Sequence, residues 1–227
     1  MNLKEKVVVI TGASKGFGKA LAEVFLREGS KVVICSTNKK EIKSVAKKIG
    51  AFGIRADVTK EKDLAKLANQ VIKNFGKIDI WVNNAGLWLP HAFVEDFDMS
   101  KVQKMFEVNI VGLINGSRIA LRHMKKRRSG TIIQVISDSA LRGRPMSSAY
   151  SASKWAVNGF TKGIREENKN ISILSIFPGG MKTLIFGKKK PSSFNDFMDT
   201  KDVAKKVISN LKLKIPKEEL IIRKPKT

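Results

Sequence analysis

Near its N-terminus the chain reads Thr11-Gly-Ala-Ser-Lys-Gly-Phe-Gly18, directly after the apolar run Val7–Ile10 and before a segment of helical period. Glycines at these spacings let backbone amides approach a pyrophosphate, and the start of the following helix adds partial positive charge. Spacing excludes a P-loop, because Ala13 stands where its first glycine belongs and Ala20 has no hydroxyl for magnesium. The turn predicts a dinucleotide cradle, although tight strand–helix packing alone would also use glycines here.

Outward from this turn, short apolar runs alternate with longer segments of helical period. The predicted strands are Val7–Ile10, Lys31–Cys35, Ile54–Ala56, Ile78–Val82, Thr131–Ile136, Ile171–Phe177 and Leu220–Ile222. The predicted helices are Gly16–Glu28, Lys39–Ile49, Glu61–Asn74, Lys101–Met124, Ala149–Asn168 and Lys201–Leu211. Ser100 with Gln103 predicts a capping box, and Thr200 with Asp202 marks the start of the last helix. Apolar strands joined by helical crossovers predict an α/β fold, a doubly wound parallel sheet of about seven strands in a single domain over 1–227.

The charge balance is strongly basic, with 44 Lys+Arg against 20 Asp+Glu and a net charge of +24. Such an excess attracts nucleic acid, anionic membrane or acidic substrates. The lysines are scattered over nearly every amphipathic segment, however, and no nucleic-acid-binding motif accompanies them, which favours a solvated surface. No specific nucleic-acid partner and no membrane partner is predicted. The chain has no apolar run of eighteen residues and no hydrophobic leader in Met1–Lys6, so a cytoplasmic location is expected.

A second informative segment is Tyr150-Ser-Ala-Ser-Lys154. Positions four apart lie on one face of a helix, so the Lys154 ammonium can lie beneath the Tyr150 phenol. A neighbouring positive charge stabilises phenolate and is expected to lower the tyrosine pKa from about 10 toward working pH. The pair therefore predicts a general acid or base.

Taken together, these segments resemble the classical short-chain dehydrogenase/reductase family over nearly the full length of the chain. The resemblance rests on motifs in family order, namely Thr-Gly-xxx-Gly-x-Gly at 11–18, Asp57-Val58, Asn83-Asn84-Ala85-Gly86, Asn109, Ser137, Tyr150-xxx-Lys154, and Pro178-Gly179 with Thr183. It implies a Rossmann-type fold and hydride transfer between a nicotinamide cofactor and a carbonyl or alcohol substrate. It also implies a homodimer or homotetramer built on Lys101–Met124 and Ala149–Asn168.

The resemblance assigns catalytic roles to Asn109, Ser137, Tyr150 and Lys154. Tyr150 delivers the proton, Ser137 binds the substrate oxygen, and Lys154 lowers the Tyr150 pKa and binds the nicotinamide ribose. The backbone of Asn109 holds a water that links Lys154 to solvent. On the sequence alone, Asn109 also fits a helix kink or a local hydrogen bond.

The resemblance also implies the cofactor-binding residues. Asp57 and Val58 contact the adenine, the Asn83–Gly86 motif supports the sheet and lines the site, and Pro178, Gly179 and Thr183 hold the nicotinamide end. The full set is Gly12, Ser14, Lys15, Gly16, Phe17, Gly18, Ser36, Thr37, Asp57, Val58, Asn83, Ala85, Gly86, Tyr150, Lys154, Pro178, Gly179 and Thr183.

The choice between NADP(H) and NAD(H) depends on the end of the second predicted strand. Ser36 stands where NAD-preferring members carry an acidic residue, and a carboxylate there would repel a 2′-phosphate. Lys15 in the glycine turn is a cation that can meet the phosphate. Thr37 stands where many NADP-preferring members carry arginine, so Lys15, Lys39 or Lys40 must supply the charge. NADP(H) is favoured and NAD(H) remains possible.

Other classes of enzyme fit poorly. His91 and His123 are far apart and lack a Cys/Asp/Glu cluster, so no metal site is predicted. Ser137 lies in no Gly-x-Ser-x-Gly elbow, which argues against a serine hydrolase. A non-catalytic dinucleotide-sensing or nucleic-acid-associated protein on the same fold remains the alternative. Residues 184–198 form a non-periodic insertion that is expected to be a substrate lid.

Overall fold

The computed structural model describes residues 1–187 and 190–224, apart from the side chain of Ser192. Its strands are β1 Val7–Thr11, β2 Lys31–Ser36, β3 Phe52–Arg55, β4 Ile80–Asn83, β5 Thr131–Val135, β6 Ser172–Pro178 and β7 Glu219–Ile222. Its α-helices are α1 Gly16–Arg27, α2 Lys39–Ile49, α3 Glu61–Phe75, α4 Met99–Phe106, α5 Gly112–Arg127, α6 Ser148–Glu167 and α7 Thr200–Lys212. The strands form one sheet in the order β3-β2-β1-β4-β5-β6-β7, and every neighbouring pair is parallel.

The strand order explains where a ligand can bind. The chain builds outward from β1 to β3 and then returns to place β4 on the other side of β1. The connections after β1 and after β4 therefore diverge and leave a crevice at the carboxyl ends of the strands. The predicted α/β doubly wound sheet is thus confirmed.

Helices cover both faces of the sheet, since its strands are apolar on both sides. Leu21 and Phe25 of α1, Ile42 of α2 and Val207 of α7 belong to the core on one face. The core on the opposite face includes residues of α3, α5 and α6, namely Leu64, Leu67, Ile119 and Ile164. These two cores fix the strand ends that carry the site.

The segment predicted as one helix over Lys101–Met124 is helical throughout, but it contains a π-helical turn that the sequence analysis did not predict. The chain forms α4, then a π-helical turn over Glu107–Val111, then α5. The turn is held by Asn109, whose Oδ1 accepts from Leu87 N at 2.7 Å and whose Nδ2 donates to Leu87 O at 2.9 Å. These bonds to a neighbouring segment stabilise a helix geometry that is otherwise rare.

Two helix caps also differ from the prediction. Asp98, rather than Ser100, caps α4 and accepts from Ser100 N at 3.1 Å and from Lys101 N at 3.3 Å. Asp199 caps α7 and accepts from Lys201 N at 2.7 Å, so Thr200 is the first residue inside that helix. In each helix the capping carboxylate lies upstream of the predicted residue, two positions before Ser100 and one position before Thr200.

A buried polar network ties α5 to the middle of the sheet. Asn83 Oδ1 accepts from Trp81 Nε1 at 2.8 Å, and Asn83 Nδ2 donates to Ser117 Oγ at 3.0 Å and to Gln134 Oε1 at 2.9 Å. Ser117 Oγ also accepts from Gln134 Nε2 at 2.8 Å and donates to Leu113 O at 2.9 Å. Every one of these polar side chains is buried, so the network fixes β4 directly behind the crevice.

The segment predicted to be a lid is only partly described, because residues 188 and 189 lie outside the described residues. On either side of them the chain forms short 3₁₀ turns at Leu184–Phe186 and Ser192–Asp196. A bridge between Met181 and Met198 joins the two ends of the segment. Among the described residues, no helix is both long and apolar enough to cross a membrane.

Candidate active site

A cavity of about 1140 Å³ opens at the carboxyl ends of the central strands. It is large enough for a dinucleotide together with a small substrate, since sites for drug-sized ligands measure about 300–1,000 Å³. Its walls include every predicted cofactor and catalytic residue except Asn83 and Asn109. Further cavity residues that the sequence analysis gave no role include the polar side chains of Glu41, Thr59, Lys104, Glu107 and Arg144.

The glycine turn is shaped to leave space beside the start of α1. Gly12 has φ +63°, and a Cβ there would lie 2.6 Å from Ala85 Cα. A Cβ on Gly18 would overlap Asn84 Nδ2 and lie 2.8 Å from Gly12 O. Lys15, the residue before the helix, makes no side-chain cap, so the amides of the first turn keep their donors for a ligand. The turn therefore fits a pyrophosphate.

Asn84 fixes this turn to the neighbouring strand. Its Nδ2 donates to Thr11 O at 2.8 Å and to Gly12 O at 3.1 Å. The Thr11 hydroxyl accepts from the backbone N–H groups of Asn84 and Ala85, each at 3.0 Å. Asn83, in contrast, points into the buried network and does not reach the cavity. The assignment of Asn83 to the cofactor wall is corrected, because alternate residues of a strand face opposite sides.

The end of the cavity beside β2 is polar. Ser36 Oγ is buried there without a hydrogen-bond partner among the described residues, which is the kind of orphan that a ligand hydroxyl or phosphate satisfies. Asp57 Oδ1 accepts from Thr59 N at 3.0 Å and from Thr59 Oγ1 at 2.8 Å.

The same end also contains a carboxylate that the sequence analysis missed. Asn38 caps α2 by accepting from Glu41 N at 3.0 Å, and Glu41 lines the cavity with Ser36 and Thr37. Position 36 itself carries no carboxylate, as the sequence shows, but Glu41 adds one to the same cavity. The spacing Asn38-x-x-Glu41 was the available signal, because a residue three positions after a cap reaches back toward the helix start.

Ser137, Tyr150 and Lys154 meet at the other end of the cavity. Ser137 follows β5, and its hydroxyl accepts from Ser139 N at 3.2 Å. Tyr150 and Lys154 lie one turn apart on α6, and Lys154 Nζ is 5.7 Å from the centre of the Tyr150 ring. Lys154 Nζ donates to Val135 O at 3.3 Å, which holds the ammonium under the phenol.

Burial controls the acidity of both groups. It raises the pKa of Tyr150 to about 12, against the opposing effect of a hydrogen bond with Ser137, while Asp138 raises it further and Arg144 lowers it. Burial lowers the pKa of Lys154 to about 8. The predicted lowering of the Tyr150 pKa is reversed, because desolvation destabilises the phenolate more than its neighbours stabilise it. Spacing in the sequence shows that the phenol and the ammonium are close together. It does not show how far folding removes them from solvent.

Asn109 lies behind the cavity wall, and both Oδ1 and Nδ2 of its side chain are hydrogen-bonded. Besides its two bonds to Leu87, its Nδ2 donates to Ser153 Oγ at 3.1 Å, and Ser153 Oγ donates to Tyr150 O at 2.7 Å. The side chain therefore connects the π-helical turn to the helix that carries Tyr150. Of the two structural alternatives that the sequence analysis left open, the structure shows a local change of helix geometry, whereas the hydrogen-bond partners Leu87 and Ser153 are distant in sequence. The role of the Asn109 backbone stays a prediction.

Aromatic side chains line the cavity beyond Tyr150. Trp88 packs edge to face on Phe186 with 4.9 Å between ring centroids, and His91 lies 5.5 Å from Trp88. Phe186 also contacts Phe197 at 5.6 Å. This wall offers an apolar surface to a substrate body. Among the described residues, no group of three or more His, Cys, Asp or Glu side chains is placed to hold a metal.

The family model described as short chain dehydrogenase matches residues 6–193. This chain belongs to the short-chain dehydrogenase family. An uncharacterized oxidoreductase of Staphylococcus saprophyticus is 34% identical over 189 residues, which cover 80% of this chain and 76% of that protein. The protein is an oxidoreductase of this family.

Two solved structures are similar to this chain over nearly its whole length. An alcohol dehydrogenase of the archaeon Thermococcus sibiricus, complexed with 5-hydroxy-NADP, has a TM-score of 0.87 at 26% identity and covers 99% of this chain and 100% of its own. A 3-ketoacyl-(acyl-carrier-protein) reductase of Brucella melitensis, complexed with NADH, has a TM-score of 0.89 at 28% identity and covers 97% of each chain.

Proposed function

We propose that the protein is a carbonyl reductase or alcohol dehydrogenase that uses a nicotinamide cofactor, with NADP(H) favoured. The observation that carries the proposal is the meeting of Ser137, Tyr150 and Lys154 in the same cavity that the glycine turn opens. Two similar structures were solved with an NADP derivative and with NADH, which supports a nicotinamide cofactor here.

The residues of the cavity fit such a cofactor at both ends. The glycine turn and the first amides of α1 would bind the pyrophosphate, with Thr183 packed beside Gly16. Asp57 and Val58 would contact the adenine, and Pro178 with Gly179 would hold the nicotinamide end. When bound, the cofactor supplies or accepts the hydride.

The protein's own residues would manage the proton. At neutral pH the Tyr150 phenol keeps its proton, because burial raises its pKa to about 12, and so it is ready to protonate the oxygen of a carbonyl. Ser137 would hold that oxygen beside the phenol. The Lys154 ammonium would then stabilise the phenolate that proton transfer leaves. In the oxidative direction the same groups would accept the proton of an alcohol.

The decisive test is Tyr150→Phe, which removes only the proton donor. General acid catalysis contributes about 10²–10⁴-fold, so kcat/KM should fall by that range for every accepted carbonyl compound. NADPH binding, followed by its fluorescence, should change less than threefold. Undiminished turnover by the Phe variant would refute the proposed role.

The preference for NADP(H) needs a separate test, because the charges at this end of the cavity are mixed. Ser36 and Lys15 favour a 2′-phosphate, whereas Glu41 opposes it. Ser36→Asp and Lys15→Ala should weaken NADPH binding more than NADH binding, and Glu41→Gln should do the opposite. The preference is wrong if the unmodified protein binds NADH at least as tightly as NADPH.

We propose further that the protein forms at least a dimer through α6 and the α4–α5 region. Trp155 on α6 is 51% exposed and Val111 in the π-helical turn is 38% exposed, which is unusual for large apolar side chains. Leu113 on α5 and Val157 on α6, in contrast, are buried in the core and would not take part in the interface. Light scattering that reports about 25 kDa, the mass of one chain, at micromolar concentration would eliminate the dimer.

A further inference from the structure

A cluster of arginines surrounds one buried carboxylate beside the proposed catalytic serine. Asp138, whose side chain is only 5% exposed, directly follows Ser137. Its Oδ2 lies 2.7 Å from Arg144 Nη2, 3.5 Å from Arg142 Nη2 and 3.5 Å from Arg223 Nε. One carboxylate cannot neutralise three guanidinium groups, so the cluster keeps an excess of positive charge at the edge of the cavity.

Arg144 is the member of this cluster that lines the cavity. Asp138 takes a single hydrogen bond from it, through Nη2, and 39% of the Arg144 side chain is exposed. Its Nε is buried without an acceptor among the described residues. A guanidinium group has five N–H donors in a planar fork that matches a carboxylate. Most of that capacity is unused here, although leaving a charged donor unpaired is costly.

The position of Arg144 places these unused N–H donors on the substrate side of the cavity. The charges of Asp138 and Arg144 both act on the Tyr150 phenol, so the pair is close to the group that would transfer the proton. The loop that carries Arg144 is joined to the aromatic wall, since Met146 O accepts from Ala92 N at 3.0 Å. The pyrophosphate cradle at the glycine turn has its own donors at the start of α1.

Building on the proposed function, we propose that the substrate carries a carboxylate and that Arg144 binds it. Arg144 would thus be a specificity-determining residue, and the unpaired donors of its fork would meet the oxygens of the substrate acid. The apolar part of the substrate would lie against Trp88 and Phe186. The preferred substrates are then oxo acids, or the corresponding hydroxy acids in the oxidative direction.

The test uses matched pairs of substrates that differ only in charge. Benzoylformate, acetoacetate and levulinate are each compared with their methyl esters, and kcat/KM is measured with NADPH for the protein and for Arg144→Gln. The unmodified protein should prefer at least one acid over its ester by about tenfold or more. Hydrogen bonds to charged groups contribute about 1.5–3 kcal/mol, so Arg144→Gln should reduce that acid-to-ester ratio by about 10–150-fold.

The ratio separates recognition from the acidity of Tyr150. Loss of the Arg144 charge raises the Tyr150 pKa for both members of a pair, and this effect cancels in the ratio. Arg142→Gln is the matched control, because Arg142 approaches the same Asp138 oxygen but does not line the cavity. Its ratio should stay within twofold. Arg144→Lys should recover part of the preference for the acid, since it restores the charge without the fork.

Three results would overturn the proposal. The first is equal use of every acid and its ester by the unmodified protein, and the second is an unchanged ratio in Arg144→Gln. The third is a loss of NADPH affinity in Arg144→Gln as large as its loss of acid turnover, which would assign the guanidinium to the cofactor.

Absence of turnover with every carbonyl pair would count against the proposed function instead. Calorimetric titration of benzoylformate and its methyl ester into the NADP-loaded protein then decides the carboxylate proposal by itself. Tighter binding of the acid that is lost in Arg144→Gln supports it, and equal binding of acid and ester refutes it.

Discussion

Ser117→Ala tests whether the buried network behind the crevice holds the sheet together. Ser117 Oγ accepts from Asn83 Nδ2 and Gln134 Nε2, and the site is completely buried, with an exposure of 0%. Alanine leaves both donors without this acceptor. Each unsatisfied buried donor costs about 1–3 kcal/mol, so the free energy of unfolding should fall by about 2–6 kcal/mol. The loss is larger than that of most substitutions, which cost about 0.5–3 kcal/mol.

The assay is urea unfolding followed by circular dichroism at 25 °C, without cofactor. Ser44→Ala is the control, because Ser44 is exposed on α2 and its replacement should change stability by less than about 0.5 kcal/mol. An unchanged m-value is needed for the comparison to report stability. A loss below about 0.5 kcal/mol in Ser117→Ala would mean that water or a shifted side chain satisfies both donors, and the reasoning would be refuted.

Three further predictions concern the glycine turn, the pH dependence of carbonyl reduction and the stability of the fold at low pH. Gly18→Ala pushes a Cβ against Asn84 and should weaken NADPH binding about 5–150-fold, which corresponds to about 1–3 kcal/mol of overpacking. Gly163→Ala is the control, because the space around Gly163 is open, and it should leave binding unchanged. Carbonyl reduction should be constant below pH 8 and decline above it as Lys154, with its pKa of about 8, loses its proton, and a flat profile to pH 10 would contradict this. Burial opposes ionisation of Asp79, but the Val7 N–H and two neighbouring cations prevail and lower its pKa. The stabilisation by ionised Asp79 is therefore present above the pKa of the unfolded state and is lost as pH falls through the lower pKa of the folded state. In urea unfolding, the stability difference between Asp79→Asn and the unmodified protein should be large at pH 7 and disappear at strongly acidic pH.

The sheet could be predicted because each strand is a short, mainly apolar run, and even the polar Gln134 of β5 and Ser175 of β6 interrupt their runs at single positions only. The glycine turn and the Tyr150–Lys154 pair could be located because spacing along one strand end or one helix face determines position. The cavity wall beside β2 was harder, since Glu41 reaches it only through the geometry of the α2 cap.

The π-helical turn and the raised pKa of Tyr150 could not be predicted, because residues that are distant in sequence determine both. The apolar pattern of Lys101–Met124 continues across Asn109, so periodicity alone gives one helix. The π-helical turn is decided by Leu87 and Ser153, which are remote in sequence. The acidity of Tyr150 is likewise decided by the dry wall of the folded cavity, which no local pattern of residues encodes.

The π-helical turn at Glu107–Val111 also bears on how this chain tolerates change in length. A π turn is a turn of α-helix that contains one additional residue. In a regular α-helix each residue advances the chain by about 100° around the helix axis. Removal of one residue here would therefore let the segment return to regular α geometry with Val102 and Met105 still facing the core, and the cost would be the loss of the Asn109 bonds to Leu87. In urea unfolding, a single-codon deletion in this turn should cost about as much stability as Asn109→Ala. The same deletion in the middle of α5 would rotate all preceding residues of the helix by about 100° and should be far more damaging.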